Sequence, residues 1–149
     1  MTNTATVRPY TDTDHHDLLK AFDLNTPEYF DPKERVDFEN FLANTNPTFF
    51  TAILDNEAVG CMGYKIDGRV GKITWAFIHP HCQGRGIGTA LYRKCLTGMK
   101  EAGCDELMVR TSQKAYGFFE RLGFKTTYSE ADFWGEGLDL VSMEIKPLV

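Results

Sequence analysis

An α/β domain of the α+β type, with a mixed and mostly antiparallel sheet, is predicted by three features of the sequence. Apolar runs over residues 48–54, 58–66 and 70–78 are joined by the short polar turns Asp55-Asn56-Glu57 and Asp67-Gly68, the pattern of an antiparallel meander. From Ile87 the apolar period changes to three or four residues through Leu91, Cys95, Met99 and Ala102, and a buried strand over 107–111 follows. That arrangement makes one central β-α-β crossover. Taken in full, the order is strand, helix, helix, three strands, helix, strand, helix, two strands, which gives a six- to seven-stranded sheet flanked by about four helices.

The first strand, residues 4–8, is stopped by Pro9, and Asp12-Thr13-Asp14 then offers N-caps for a helix carrying Leu18, Leu19 and Phe22. The second helix has a stronger start. Asp31 can cap it, Pro32 suits the first helical position, and Glu34 completes a capping box ahead of Val36, Phe38, Phe41 and Leu42. In the strand over 70–78, alternation puts Ile73, Trp75 and Phe77 on one face and Thr74, Ala76 and Ile78 on the other, until Pro80 ends it. The central helix stops at Gly103. Ala115, Phe118, Phe119 and Leu122 mark a short helix stopped at Gly123, and residues 124–128 and 140–145 read as the last two strands. Trp75, Phe77 and the stripe Leu91, Cys95 and Met99 are assigned to the core.

Residues 1–149 read as a single domain: there is no repeat, low-complexity tract or linker, and a 42% hydrophobic content with 19 aromatic residues supports a core unaided. Sixteen basic side chains against 21 acidic ones give a net charge of -5. With no basic tail, that balance disfavours a general nucleic-acid binder, whose affinity comes from Lys and Arg neutralising phosphates. No run approaches the ~20 apolar residues that span a bilayer. Nor do the first nine residues hold the apolar stretch of a signal peptide, so a cytoplasmic location with no membrane partner is expected. Cys61, Cys82, Cys95 and Cys104 lack Cys-x-x-Cys spacing and read as free thiols.

Charge is unevenly distributed: residues 68–100 carry six basic side chains and no carboxylate, in a chain that is acidic on both sides. A solvated helix face would account for some of this, but the stretch also looks like the seat of an anionic ligand. Within it, Gln83-Gly84-Arg85-Gly86-Ile87-Gly88 lies between a strand and a long helix, where free backbone N–H groups can converge on one anion. Glycine lets the loop take positive φ and approach closely, while the helix dipole and Arg85 add positive potential. A Walker A loop would need Gly-Lys-Ser/Thr where Gly88 is followed by Thr89-Ala90, and a dinucleotide fingerprint would need Gly-x-Gly-x-x-Gly. Neither fits.

Gln83, Gly86 and Gly88 do fit a Gln/Arg-x-x-Gly-x-Gly/Ala loop. Ahead of it stands Phe77-Ile78-His79-Pro80, after it Ala115-Tyr116-Gly117-Phe118-Phe119-Glu120-Arg121-Leu122-Gly123-Phe124, and near the start Arg8-Pro9 followed by Asp14. With the element order of nearly the whole chain, these segments resemble the GNAT N-acetyltransferases, whose acetyl-CoA loop has that pattern.

The resemblance implies transfer of an acetyl group from acetyl-CoA to a primary amine of a small molecule or peptide, by direct attack. It implies a CoA diphosphate on the amides of Gln83, Gly84, Arg85, Gly86, Ile87 and Gly88, with Thr89 just beyond, and a pantetheine arm paired to the strand backbone at Ala76, Phe77 and Ile78. The Ala76 N–H is the implied oxyanion donor. Ser112 stands where the family often has Asn near the arm. Where many members have a general-acid Tyr, this chain has Phe119, which leaves the role to Tyr116, three residues earlier, or to water. Lys72 and Thr74 occupy strand positions that other members use for a base, so the general base is unassigned. His79, His81 and Cys82 lack a spaced fourth ligand, and a structural or phosphate-side role is expected rather than a metal site.

The acceptor side is implied to be built from residues 23–31 and from a loop over 129–139. Tyr29, Phe30 and Trp134, set among Asp23, Glu28, Asp31, Glu130, Asp132, Glu136 and Asp139, suit a cationic amine. Exposed late strands are compatible with a homodimer. The alternative function, kept open by Phe119 and the missing strand carboxylate, is a catalytically weak or inactive acyl-CoA-binding module.

Overall fold

The computed structural model describes residues 4–44 and 47–148, so the first three residues of the segment inspected for a signal peptide lie outside it. Seven strands, β1 (Thr6–Pro9), β2 (Phe49–Leu54), β3 (Glu57–Asp67), β4 (Val70–Ile78), β5 (Glu106–Thr111), β6 (Lys125–Gly135) and β7 (Leu138–Ile145), form one sheet in the order β1-β2-β3-β4-β5-β7-β6. Only β4 and β5 are parallel, as a crossover through one helix requires. The helices are α1 (His15–Leu24), α2 (Arg35–Ala43), α3 (Ile87–Glu101) and α4 (Tyr116–Arg121). Among the described residues, no helix is long and apolar enough to cross a membrane.

Each face of the sheet buries its own core. On one face α1 and α2 bring Leu18, Phe22, Phe38 and Leu42 against Phe49, Cys61 and Phe77. On the other, α3 and α4 bring Leu91, Cys95, Met99 and Phe119 against Met62, Ile73, Leu107, Val109 and Met143. The capping box forms as read: the Asp31 carboxylate accepts from the Lys33 N–H at 2.9 Å and the Glu34 carboxylate from the Asp31 N–H at 2.9 Å.

Four boundaries or faces differ from the sequence reading. β1 continues through Pro9, which pairs with Phe50; at a sheet edge its missing N–H deprives no partner. The turn after β2 is only Asp55-Asn56, with φ of +52° and +64°, so Glu57 already belongs to β3. The last two strands extend far into the expected 129–139 loop: β6 reaches Gly135 and β7 starts at Leu138, leaving a two-residue turn. Asp132 at φ +54° takes up a register shift between Glu130 and Gly135, which is why a plain two-residue alternation does not reveal the strand.

The fourth difference is in β4. Cys61 pairs with Phe77 but Gly63 with Thr74, so Trp75 and Ala76 together stand opposite Met62 in a bulge. The extra residue switches faces midway. Ile73 packs with the α3 core, whereas Trp75 and Phe77 pack with the α1/α2 core and Ala76 and Ile78 return to the α3 side. Strict alternation, which put Ile73 with Trp75 and Phe77, is therefore corrected.

The start of α1 is tied to β1 by Asp14, 3% exposed, which accepts from Arg8 Nη1 and Nη2 at 2.8 and 2.7 Å and from the Thr11 N–H at 3.1 Å. Burial pushes this carboxyl up, but the Arg8 hydrogen bonds, the Thr11 N–H and the Arg8 charge together hold it below the ordinary carboxylate range. A lowered folded-state value means that ionised Asp14 contributes stability that is complete above the unfolded value and is lost as pH falls through the folded one. Asp14→Asn is expected to cost about 1–3 kcal/mol at neutral pH. In urea unfolding, its deficit against the parent should shrink once the pH is taken below about 4.

Candidate active site

The antiparallel pairing of β3 with β4 runs the length of β4, but the parallel pairing of β4 with β5 stops after Val70, Gly71 and Lys72. From Ile73 onward β4 and β5 part, and a cavity of about 880 Å³ opens between them. It passes through the sheet. On the α3 side it is lined by Gln83, Gly84, Gly86, Ile87, Gly88, Thr89, Phe118 and Phe119, and on the α1/α2 side by Tyr29, Phe30, Glu34, Lys65, Lys72, Trp75, Met108 and Arg110. Ala76, Phe77, Ile78 and Ser112 line the passage between.

The glycine turn has two kinds of glycine. Gly84 and Gly86 have φ of +79° and +77°, and a Cβ on either would meet nothing within 4 Å, so their backbone faces open space. Gly86 is the N-cap of α3, and the first turn holds no acidic residue. The loop can thus present amides and a positive helix end to an anion. Gly88 differs: a Cβ there would lie 3.0 Å from the Phe118 ring, so its smallness serves the close approach of α3 and α4. His79 Nδ1 accepts from the His81 N–H at 3.1 Å, capping the turn that leads into this loop.

The acceptor-side walls are held in place by contacts distant in sequence. Asn25, 2% exposed, donates from Nδ2 to Ala21 O at 2.8 Å and to Ile78 O at 3.1 Å, fastening the end of α1 to the tip of β4. Trp134 Nε1 donates to Thr111 O at 3.0 Å. Gln113 bonds Gly137 O and the Asp139 N–H at 2.8 and 2.9 Å, which fixes the β6-β7 turn beside the end of β5. Gly135 lies so close to Asp31 that a Cβ would overlap its carboxylate, so the two acceptor-side segments meet.

The model of the acetyltransferase (GNAT) family matches residues 16–124. The chain belongs to the GNAT family. Among curated proteins it is similar to N-alpha-acetyltransferase 30 of Xenopus laevis, 26% identical over 130 residues, covering 82% of this chain and 48% of that protein. The Homo sapiens protein of the same name is also 26% identical, with 36% of its length covered. This chain thus spans about half, or less, of the curated relatives it matches. Of solved structures, Ard1 from Thermoplasma volcanium superposes with a TM-score of 0.81 at 15% identity over 97% of this chain and 98% of that one. A NatC complex bound to Gag peptide and CoA gives 0.77 at 19% over 97% and 99%. The ribosomal-protein-S18-alanine N-acetyltransferase from Escherichia coli gives 0.77 at 14% over 98% and 96%.

Set against this GNAT site, the residues named from sequence divide clearly. All the loop, strand and aromatic positions line the cavity except Arg85, which is exposed on the turn. Tyr116 does not line it. Its side chain is 39% exposed on the outer side of α4, while Ala115, Gly117, Phe118 and Phe119 face inward, because a six-residue helix turns only part of its circumference to the cavity. Phe119 is 4% exposed and packs edge-on to Phe118 and Phe124 at 5.0 and 5.6 Å. None of the carboxylates expected on the acceptor side lines the cavity: Asp23, Glu28 and Asp31 stay out of its lining, as do Glu130 and Asp132 on the extended β6, Glu136 in the turn and Asp139 on β7.

Sequence reading missed Glu34, Lys65 and Arg110. Glu34, read only as a helix cap, is the single carboxylate lining the cavity among the described residues. Burial raises its carboxyl; the Asp31 N–H pulls it back and the Asp31 and Asp37 charges push it further, leaving it above the ordinary carboxylate range. Its place three residues after Asp31, reaching back toward the segment that faces the cavity, was the available signal.

The cysteines differ in burial. Burial pushes the Cys61 thiol far up and Cys95 up to about 12, and Cys104 is raised by burial and Asp105, whereas half-buried Cys82 lines the cavity. A thiol reagent on the native protein should label Cys82 at least ~10-fold faster than the other three. Peptide mass spectrometry should detect those three at full labelling only after unfolding.

Proposed function

We propose that this chain is an acetyl-CoA-dependent N-acetyltransferase whose acceptor is the α-amine of a peptide. The parting of β4 from β5 beside the glycine turn carries this reading. An unpaired strand edge suits the amides of a pantetheine arm by strand addition, and the open backbone of the glycine turn at the start of α3 suits its diphosphate. Family membership supports transfer chemistry, and the names of the similar proteins support a peptide α-amine over a small amine.

Bound acetyl-CoA supplies an acyl group on a thiolate leaving group. Gln83, Gly84, Arg85, Gly86, Ile87, Gly88 and Thr89 hold the diphosphate end. Phe77, Ile78, Ser112 and Phe119 line the path of the arm, and Ser112 Oγ, accepting from the Lys114 N–H at 3.2 Å, still has its own proton to donate. Ala76 sits in the bulge, where β5 offers its N–H no ladder partner, and it is the assigned donor to the carbonyl oxygen. Tyr29, Phe30 and Trp134 form aromatic walls that exclude water around the amine. Glu34 holds the incoming ammonium and receives its proton, a task its raised carboxyl performs better than an ordinary one.

Calorimetric titration with acetyl-CoA, CoA and ATP tests the cofactor part, and turnover over panels of peptides and small amines tests the rest. Binding of the CoA species alone, on the order of micromolar, followed by peptide acetylation is expected. A folded sample that ignores CoA defeats the reading. CoA binding without turnover of any amine would make the chain an acyl-CoA-binding module instead.

Two variants refine it. Glu34→Gln retains an oxygen for the Asp31 N–H, so the helix cap should persist while kcat/KM falls about 100-fold and CoA affinity stays unchanged. Tyr116→Phe, outside the cavity, should leave kcat within about twofold of the parent. A large loss in that variant would return the general-acid role to Tyr116.

A further inference from the structure

On the α1/α2 side of the sheet the cavity wall is cationic. Lys65 of β3 lies directly across from Lys72 of β4, Lys72 pairs with Met108 of β5, and Arg110 follows two residues later on the same face. All four line the cavity. Like charges facing one another across a strand pair destabilise a sheet, so an anion belongs near them. Asp67 provides only part of it: its Oδ2 accepts from Lys72 Nζ at 2.9 Å, but its side chain is 72% exposed and therefore well screened. Glu144 stands beyond Met108 in register and does not line the cavity.

Arg110 is held differently. Its guanidinium lies 4.9 Å from the Phe133 ring centroid and 5.7 Å from that of Trp134, and it makes no ion pair among the described residues. Ring contacts orient the cation while leaving its N–H donors free for a carboxylate. Along this face an acceptor therefore meets one carboxylate, Glu34, and three cations.

We propose that Lys65, Lys72 and Arg110 form a subsite for the acidic side chains of an acceptor peptide whose amino terminus lies toward Glu34. This rests on the peptide N-acetyltransferase reading and names its substrate class. An extended peptide advances about 3.3 Å per residue with alternate side chains on one face, so Asp or Glu in the first few positions can reach cations spread over three neighbouring strands.

The test uses the CoA-loaded full chain and peptides that share a first residue and carry Glu, Gln or Lys at the next three positions. Affinity is read by competition with a labelled peptide, and turnover by thiol release from acetyl-CoA. Glu peptides should bind at least ~10-fold more tightly than Lys peptides at low salt, with the gap narrowing as salt is added. Lys65→Glu combined with Arg110→Glu should reverse that order, and Lys65→Gln with Arg110→Gln should level it; thermal melting confirms that both variants are folded. Equal affinity for the three peptides, a preference for Lys, or binding of none overturns the subsite, even where acetylation is seen. Charge-selective binding without any turnover keeps the subsite and defeats the transferase reading.

Discussion

The interruption of parallel pairing between β4 and β5 is the constraint on which the rest of the molecule depends. Three residues of each strand pair, and then β4 continues alone on that side for six more. Backbone N–H and C=O groups left open in the middle of a sheet are costly unless water or another chain pairs them. The bulge at Trp75 and Ala76 bends β4 where the strands separate, and it reassigns side chains between faces so that both halves of the strand remain packed. The opening is thus built into the packing of the strand, and what it creates is a passage from one face of the sheet to the other.

Each face contributes a different chemistry to that passage. The α3 side supplies a glycine turn at a helix start with no acidic residue in the helix's first turn, suited to a polyanionic cofactor. The opposite side supplies aromatic walls, one half-buried carboxylate and a row of cations. Because the sheet separates the two, the cofactor and the acceptor can enter from opposite faces and meet at the bulge. The supports are long-range: Asn25 fastens α1 to β4, Gln113 fastens the β6-β7 turn, and the Arg8 to Asp14 pair holds the start of α1 on β1. Glu34 serves both levels at once, capping a helix with one oxygen while facing the cavity.

What the sequence determined by itself is local. The Asp31/Glu34 capping box, the presence of a polar turn after Leu54, the glycine turn and the apolar stripe of α3 were legible because each depends on residues within a few positions of one another. The element order followed from them, and the glycine turn with its flanking segments carried the resemblance that named the glycine-loop and β4 walls of the cavity. Tertiary structure alone decided the matters that turn on register. The bulge that moves Ile73 away from Trp75 is a mismatch between β3 and β4, invisible in either strand. The length of β6 depends on pairing with β7 through a shift at Asp132. Which face of α4 turns inward left Tyr116 out of the cavity lining, and how β3, β4 and β5 align brought Lys65, Lys72 and Arg110 together from positions up to 45 residues apart. Sequence fixes a side chain's direction only relative to its own backbone, whereas a site is defined by what lies across from it.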